Sequence, residues 1–342
     1  MLNSYVLLLY SYLMKFLFDI PLPIMILAPM EDVTDTVFRN LIHLIGSKEG
    51  EPHIYFTEFI SVKGILNGSK QSIQHVFLKP NELNRPLIAQ IWGNDPEQFY
   101  RAIEILGGMG FWGIDINMGC PKSKIIKKGV CSALINNKSL AKEIILASKE
   151  ACARFNLPLS IKTRHGFSYP EVNDWLGFLL GFGIDMLTVY PRLAVNQSEG
   201  PVNFDIFYEL VKLRNNLSPS TLIIGNGDVL SLKDARYYVD KYLIDGIMFG
   251  RGIFKNLNLF KFSSKHFLDS NLNFRLNILK FHIKDFHATW GLEKDFNKLK
   301  KYFKIYFTEK ERQSKYFSNL INSKTYEELF ENLNVIDMVG DF

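Results

Sequence analysis

The chain has 342 residues, of which 47% are hydrophobic and 22% charged, and its formal net charge is +5. This suits one large domain, alone or with a small one, and excludes intrinsic disorder. No Gly-X-Y period, long internal repeat or cysteine framework is present, which excludes collagen-like, solenoid and disulfide-scaffold proteins.

Residues 1–23 read as an N-terminal extension without an assigned role. Its apolar run, 5–14, stops at Lys15 and Asp19. That is short of the roughly 18 apolar residues of a membrane span, and no signal-peptide pattern accompanies it. Met14 is an alternative start. Three cysteines, Cys120, Cys131 and Cys152, cannot all pair, which favours a reducing, cytoplasmic setting.

From residue 24 onward, short apolar runs alternate with helical patterns. The runs are 24–28, 54–58, 87–92, 113–117, 159–162, 186–190, 222–225 and 246–250, rich in Ile, Val and Phe. Such runs predict strands buried on both faces of a parallel sheet. Helices are predicted over 95–106, 139–153, 204–214 and 231–242, the first marked by Asp95-Pro96 as cap and first turn. Eight strand–helix units predict an α/β fold, a (β/α)8 TIM barrel over 24–258. A doubly wound sheet is the alternative, but the first strand runs into Ala28-Pro29-Met30 without a Gly-rich turn.

Residues 259–342 predict a small helical domain. Phe274, Ile278 and Phe281, then Leu279, Ile283 and Phe286, recur at helical spacing. Phe296, Leu299, Phe303 and Tyr306 do so as well, with Lys294, Lys298 and Lys301 opposite. Residues 261–315 carry 13 Lys and Arg against 6 Asp and Glu, a basic block that suits either a polyanion or a solvated face.

Barrels of this kind keep their chemistry at the C-terminal strand ends. Here those ends carry Met30, Glu58, Gln90, Asn117 with Cys120, Lys162 with Arg164, Tyr190 with Arg192, Asn226-Gly227-Asp228, and Gly250-Arg251-Gly252. The last two loops suit a phosphate, since glycines admit close backbone approach and Arg251 adds charge. Lys162 at the mouth needs an anionic partner, such as a flavin edge; a Schiff-base role is the rival. Gln90 offers both a donor and an acceptor to a flavin or pyrimidine edge. Cys120, between Gly119 and Pro121, suits a nucleophile, a proton donor or a metal ligand, although no Cys or His pair has ligand spacing.

These residues resemble the tRNA-dihydrouridine synthase family. The matching pieces, in order, are LAPM at 27–30 with Asp32, Thr34 and Asp35, Thr57-Glu58, Gln90, DINMGCP at 115–121, IKTR at 161–164, NGD at 226–228 and Gly250-Arg251. The resemblance covers about residues 24–255 well and the helical tail more loosely. It implies an FMN enzyme that uses NADPH to reduce uridine in tRNA to dihydrouridine. It further implies Ala28, Pro29, Met30, Gln90, Lys162, Tyr190, Asn226, Gly227, Asp228, Gly250 and Arg251 as cofactor-binding residues. Asn117, Arg164, Arg192, Lys294, Lys298 and Lys301 are implied for the RNA, and Cys120 as the acid that protonates C5. A monomer without metal or membrane is expected. Two positions depart from the family pattern: Tyr190 stands where His is usual, and Cys131 where Gly is usual. An RNA-binding relative with impaired catalysis and a small-molecule FMN reductase are the competing readings.

Overall fold

Each apolar run folds as a strand because neighbours cover it on both faces. The protein is described by a computed structural model over residues 16–17, 19–46, 50–262 and 265–340. The apolar run 5–14 lies outside the described residues. Nine strands form one sheet: β1 (Ile24–Leu27), β2 (Tyr55–Phe56), β3 (Ile60–Ser61), β4 (Leu87–Trp92), β5 (Gly113–Met118), β6 (Leu159–Arg164), β7 (Met186–Tyr190), β8 (Leu222–Asn226) and β9 (Gly246–Phe249). All pairings are parallel, in the order β1-β9-β8-β7-β6-β5-β4-β2, with β3 also on β4. A bridge between Ile26 and Ile54, with the Leu27 N–H donating to Ile54 O at 3.1 Å, closes the sheet into the expected TIM barrel.

The second strand differs from its prediction. Instead of one strand over 54–58, β2 and β3 flank an interruption at Thr57, Glu58 and Phe59. Tyr55, Phe56 and Ile60 pair with Leu87, Ile88 and Ile91, so this strand carries one residue more than its partner, a bulge. The Thr57 hydroxyl accepts from the Gln90 N–H at 3.0 Å and donates to Glu58 O at 2.8 Å, taking ladder positions itself.

Period-two alternation sorts the barrel interior into layers. Ile24, Ile26, Ile54, Phe56, Ile88, Met186, Leu222, Ile224 and Met248 pack into one buried apolar cluster. Two residues further along the strands, the same faces carry Gln90, Thr188 and Asn226; β5 and β6 carry Asp115, Asn117, Ser160, Lys162 and Arg164. The interior is thus apolar at one end and polar at the C-terminal strand ends.

The helices start where their caps are. Asp95, Asn137 and Ser231 accept backbone N–H groups at the starts of Pro96–Gly107, Lys138–Phe155 and Leu232–Tyr242. The helix predicted from 204 is Ile206–Leu217, because Phe204 instead stacks on Tyr238 with ring centroids 4.0 Å apart. Among the described residues no helix is long and apolar enough to cross a membrane.

Contacts divide the chain into two units, one of Met1–Thr36 with Pro52–Gly250, the other of Val37–Glu51 with Arg251–Phe342. The division therefore falls at 250 rather than 258, and the segment 37–51 joins the C-terminal unit. Phe38 stacks on Tyr302 at 5.2 Å there. The long helix Leu272–Trp290 buries Leu279, Ile283 and Phe286, whereas Phe274 and Phe281 are exposed, so one of the two expected stripes is core. Arg275 lies in the buried stripe because Glu311 meets it with two bonds of 2.7 and 2.8 Å. The helix expected through 296–306 is broken into Asn297–Lys300 and a 3-10 turn, Phe303–Tyr306. Leu299, Tyr302, Phe303, Ile305, Tyr306 and Phe307 are all buried, more than one face of an α-helix can serve. Lys294, Lys298 and Lys301 consequently do not share a helix face.

Barrel closure predicts a stability effect. A Cβ on Gly246, where β9 meets β1, would stand 2.2 Å from Ile24 O, and backbone cannot yield as a side chain can. Gly246→Ala lowers stability by at least about 1–3 kcal/mol in urea unfolding. Gly108→Ala, with its nearest atom at 3.8 Å, leaves the midpoint in place. Equal midpoints for the two variants would contradict this packing.

Candidate active site

The site begins with strand register. Gln90 pairs with Asp115, Asp115 with Ser160, and Asn117 with Lys162. Asp115 is fully buried and accepts from Ser160 Oγ at 2.6 Å and from Gln90 Nε2 at 2.7 Å. Gln90 Oε1 in turn accepts from Asn117 Nδ2 at 2.9 Å. Asn117 Oδ1 accepts the N–H groups of Gly119 and Cys120, each at 3.0 Å. One unbroken chain of bonds therefore runs from a buried carboxyl to the backbone that carries the Cys120 thiol. Burial pushes the Asp115 carboxyl up to about 6, against the bonds from Ser160 and Gln90 and the charge of Lys162.

Arg164 fastens the same loop from the other side. Its Nε donates to Gly119 O at 2.8 Å and its Nη1 to Leu193 O at 2.9 Å. Lys162 is half-buried and makes no hydrogen bond or ion pair within the described residues; its ammonium lies 5.9 Å from the Tyr190 ring centre. Burial first, then the Arg164 charge, draws Lys162 down to about 8, with Asp115 and Cys120 opposing. Arg164 is thus a basic neighbour at this strand end that lowers Lys162, a condition the rival Schiff-base role would also use. The Thr188 hydroxyl, paired in register with Lys162, is buried and has no hydrogen-bond partner within the described residues.

The other expected residues are placed as follows. Ala28 and Pro29 are buried and Met30 half-buried past the end of β1. Tyr190 ends β7 and sits between guanidinium groups, 4.9 Å from Arg164 and 5.0 Å from Arg192. Arg192 turns inward: it is 2% exposed and donates to the Tyr190 hydroxyl, Ser198 O, Gly200 O and Asp228. Its expected approach to RNA is corrected to a buried tie between two loops. Asn226 donates to Met248 O at 2.7 Å. Gly227 has φ 150°, and a Cβ there would meet the Tyr190 ring and Val202 at 2.9 Å, so this glycine first makes room for Tyr190. Gly250 faces open space, with only Ala28 Cβ near, at 3.9 Å. Arg251 is exposed. Lys298 and Lys301 are exposed, while Lys294 is half-buried over Trp290 at 4.1 Å.

Two features were not anticipated. Cys131 adopts φ 55°, the left-handed region that favours glycine, and its thiol bonds the Cys120 sulfur. That bond is the largest influence on Cys120. With the Lys122 N–H and the charges of Lys122 and Arg164 it overcomes burial and lowers the thiol to about 6. Burial, reinforced by Cys120, raises Cys131 well above the ordinary range. Beside the pair lies a cavity of about 420 Å³, lined by Phe59, His75, Trp92, Cys120, Lys122 and Cys131 among others. His75 bonds Phe59 O through Nδ1 at 3.0 Å, and its Nε2 lies 3.7 Å from Glu31 and 3.8 Å from Glu58. The signals for Asp115 and Thr188 were their places two residues before Asn117 and Tyr190, on the same strand faces; the signal for Cys131 was that it stands where the family pattern has Gly.

Barrel, polar mouth and a tethered loop cysteine define a TIM-barrel enzyme, and comparison with known proteins narrows this. The family model described as dihydrouridine synthase (Dus) matches residues 26–339. A Staphylococcus aureus (strain COL) protein named "Probable tRNA-dihydrouridine synthase" is 35% identical over 315 residues, covering 91% of this chain and 92% of its own. "Probable tRNA-dihydrouridine synthase 2" of Bacillus subtilis (strain 168) is 33% identical over 314 residues, covering 91% and 93%. The chain belongs to the dihydrouridine synthase family of oxidoreductases.

The thiol pair gives a direct test. Alkylation of Cys120 by iodoacetamide follows a thiolate titration centred near pH 6. Cys131→Ala removes the leading hydrogen bond and moves that midpoint upward. A midpoint that stays put in the variant would contradict the assigned cause.

Proposed function

We propose that this protein reduces uridine in tRNA to 5,6-dihydrouridine, with FMN as resident cofactor and NADPH as reductant. The observation that carries the reading is the tethered Cys120 thiol beside an unpartnered Lys162 at the polar end of the barrel. The family relationship supports it, as do relatives named for tRNA dihydrouridine synthesis. FMN fits the residues present. Lys162 lacks an ion pair, Thr188 has an orphaned hydroxyl, and Gly250 leaves its backbone open to a phosphate.

Lys162 and Thr188 would hold the polar ring edge, Met30 would pack on the ring, and the backbone at Asn226, Gly227 and Gly250 would hold the phosphate. When bound, FMN, reduced by NADPH, supplies a hydride to C6 of the uracil. Asn117 has one amide hydrogen left after its bond to Gln90, and this one would orient the base. In its protonated form Cys120 gives its S–H proton to C5, so this step slows as the pH rises above about 6. The thiolate left behind is stabilised by Cys131, Lys122 and Arg164, which makes Cys120 a strong acid for a thiol. The target base must leave its stack, at a cost of a few kcal/mol. Lysines of the C-terminal unit would offset this through phosphate contacts.

Single-turnover oxidation of the NADPH-reduced enzyme by tRNA tests the catalytic reading. Cys120→Ala slows this step about 10²–10⁴-fold while retaining FMN and its reduction by NADPH; a near wild-type step would remove Cys120 from the mechanism. For the RNA contact, Lys294/Lys298/Lys301→Ala weakens tRNA binding and reduces its salt dependence, each phosphate contact contributing a log–log slope of about −0.9 on duplex. Unchanged affinity and slope would assign the contact elsewhere.

A further inference from the structure

We propose that Cys120 and Cys131 form an oxidation site for hydroperoxides, at which the two thiols join in an intramolecular disulfide. The inference deepens the reading of Cys120 as the proton donor and rests on that reading for its consequence alone.

Cys131 occupies a costly place. At φ 55° a side chain is disfavoured relative to the right-handed region, yet here the residue carries a thiol, 2% exposed. The backbones are fastened to each other: Ser132 N–H donates to Cys120 O at 3.4 Å, and Ser132 Oγ donates to the same oxygen at 2.9 Å. Ser132 directly follows Cys131, so these two bonds hold the Cys131 backbone beside that of Cys120; a disulfide asks for Cα atoms about 4.4–6.8 Å apart. Both cysteines line the cavity of about 420 Å³, which admits a small oxidant. All three cysteines are free thiols, and Cys152 is buried on the helix Lys138–Phe155, not on the cavity.

The chemistry balances in two steps. The Cys120 thiolate attacks the distal oxygen of a hydroperoxide, the O–O bond breaks, and an alkoxide or hydroxide leaves and is protonated. Cys120 is then a sulfenic acid, oxidised by two electrons as the peroxide is reduced. The Cys131 sulfur attacks the Cys120 sulfur, the S–O bond breaks, and the Cys131 proton leaves with the hydroxyl as water. The product holds no S–H at the donor position, so reduction of uridine stops until a dithiol reopens the bond.

The test uses the reduced full-length protein, stoichiometric hydrogen peroxide, alkylation and peptide mapping by mass spectrometry. The expected product is one peptide pair linked through Cys120 and Cys131, with Cys152 still open to alkylation after unfolding. Dithiothreitol restores both thiols. The bridged protein loses uridine reduction by about 10²–10⁴-fold and regains it with the dithiol. In Cys131→Gly, Cys120 proceeds to the sulfinic acid and dithiothreitol does not restore it. Wild-type protein in which Cys120 reaches the sulfinic acid while Cys131 remains alkylatable would overturn the proposal. A bridged protein that still reduces uridine at full rate would uphold the disulfide and remove Cys120 as the acid.

Discussion

The hydrogen-bond chain from Asp115 through Gln90 and Asn117 to the Gly119 and Cys120 amides is the constraint on which the mouth of the barrel depends. Every member is buried or nearly so, apart from the loop it ends on. Buried polar groups strengthen one another when all are paired and cost about 1–3 kcal/mol each when one partner is lost. The chain exists because β4, β5 and β6 are in a register that sets Gln90, Asp115 and Ser160 side by side. A slip of one residue would turn all of them away from the interior.

Electrostatics at the mouth follow from the same geometry. Lys162, Arg164 and Arg192 surround the Tyr190 ring. A protonated imidazole at position 190 would add a further positive charge to that group, whereas the phenol ring faces cations favourably and accepts from Arg192. Arg164 does three things at once: it clamps the Cys120 loop, lowers Lys162 and supports the Cys120 thiolate. Of the three cations, Arg192 is paired with Asp228, while Lys162 forms no ion pair within the described residues, and an anionic ring edge would suit it.

The barrel was legible because parallel strands are buried on both faces and so appear as uninterrupted apolar runs. The polar residues at the strand ends were legible because packing alone gives no reason for Gln90, Asn117 or Lys162 there. What escaped had physical causes that single positions do not display. Thr57 replaces a ladder bond with its own hydroxyl and splits the second strand. The segment 296–306 has helical spacing, but burial on all sides tightens it into a 3-10 turn. Arg192 has the residue type of an RNA contact, but it is turned inward by Tyr190, Ser198 and Gly200 of its own loop region and by Asp228, 36 residues on. The contact between Cys120 and Cys131 depends on a left-handed backbone at a residue whose type argues against one.

The measurement that bears most directly on the account is nucleoside analysis of tRNA lacking dihydrouridine, incubated with the purified protein, FMN and NADPH. The account predicts dihydrouridine at defined positions, formed only when protein and NADPH are both present. NADPH-reduced, FMN-loaded protein that leaves every uridine in that tRNA unchanged would contradict it.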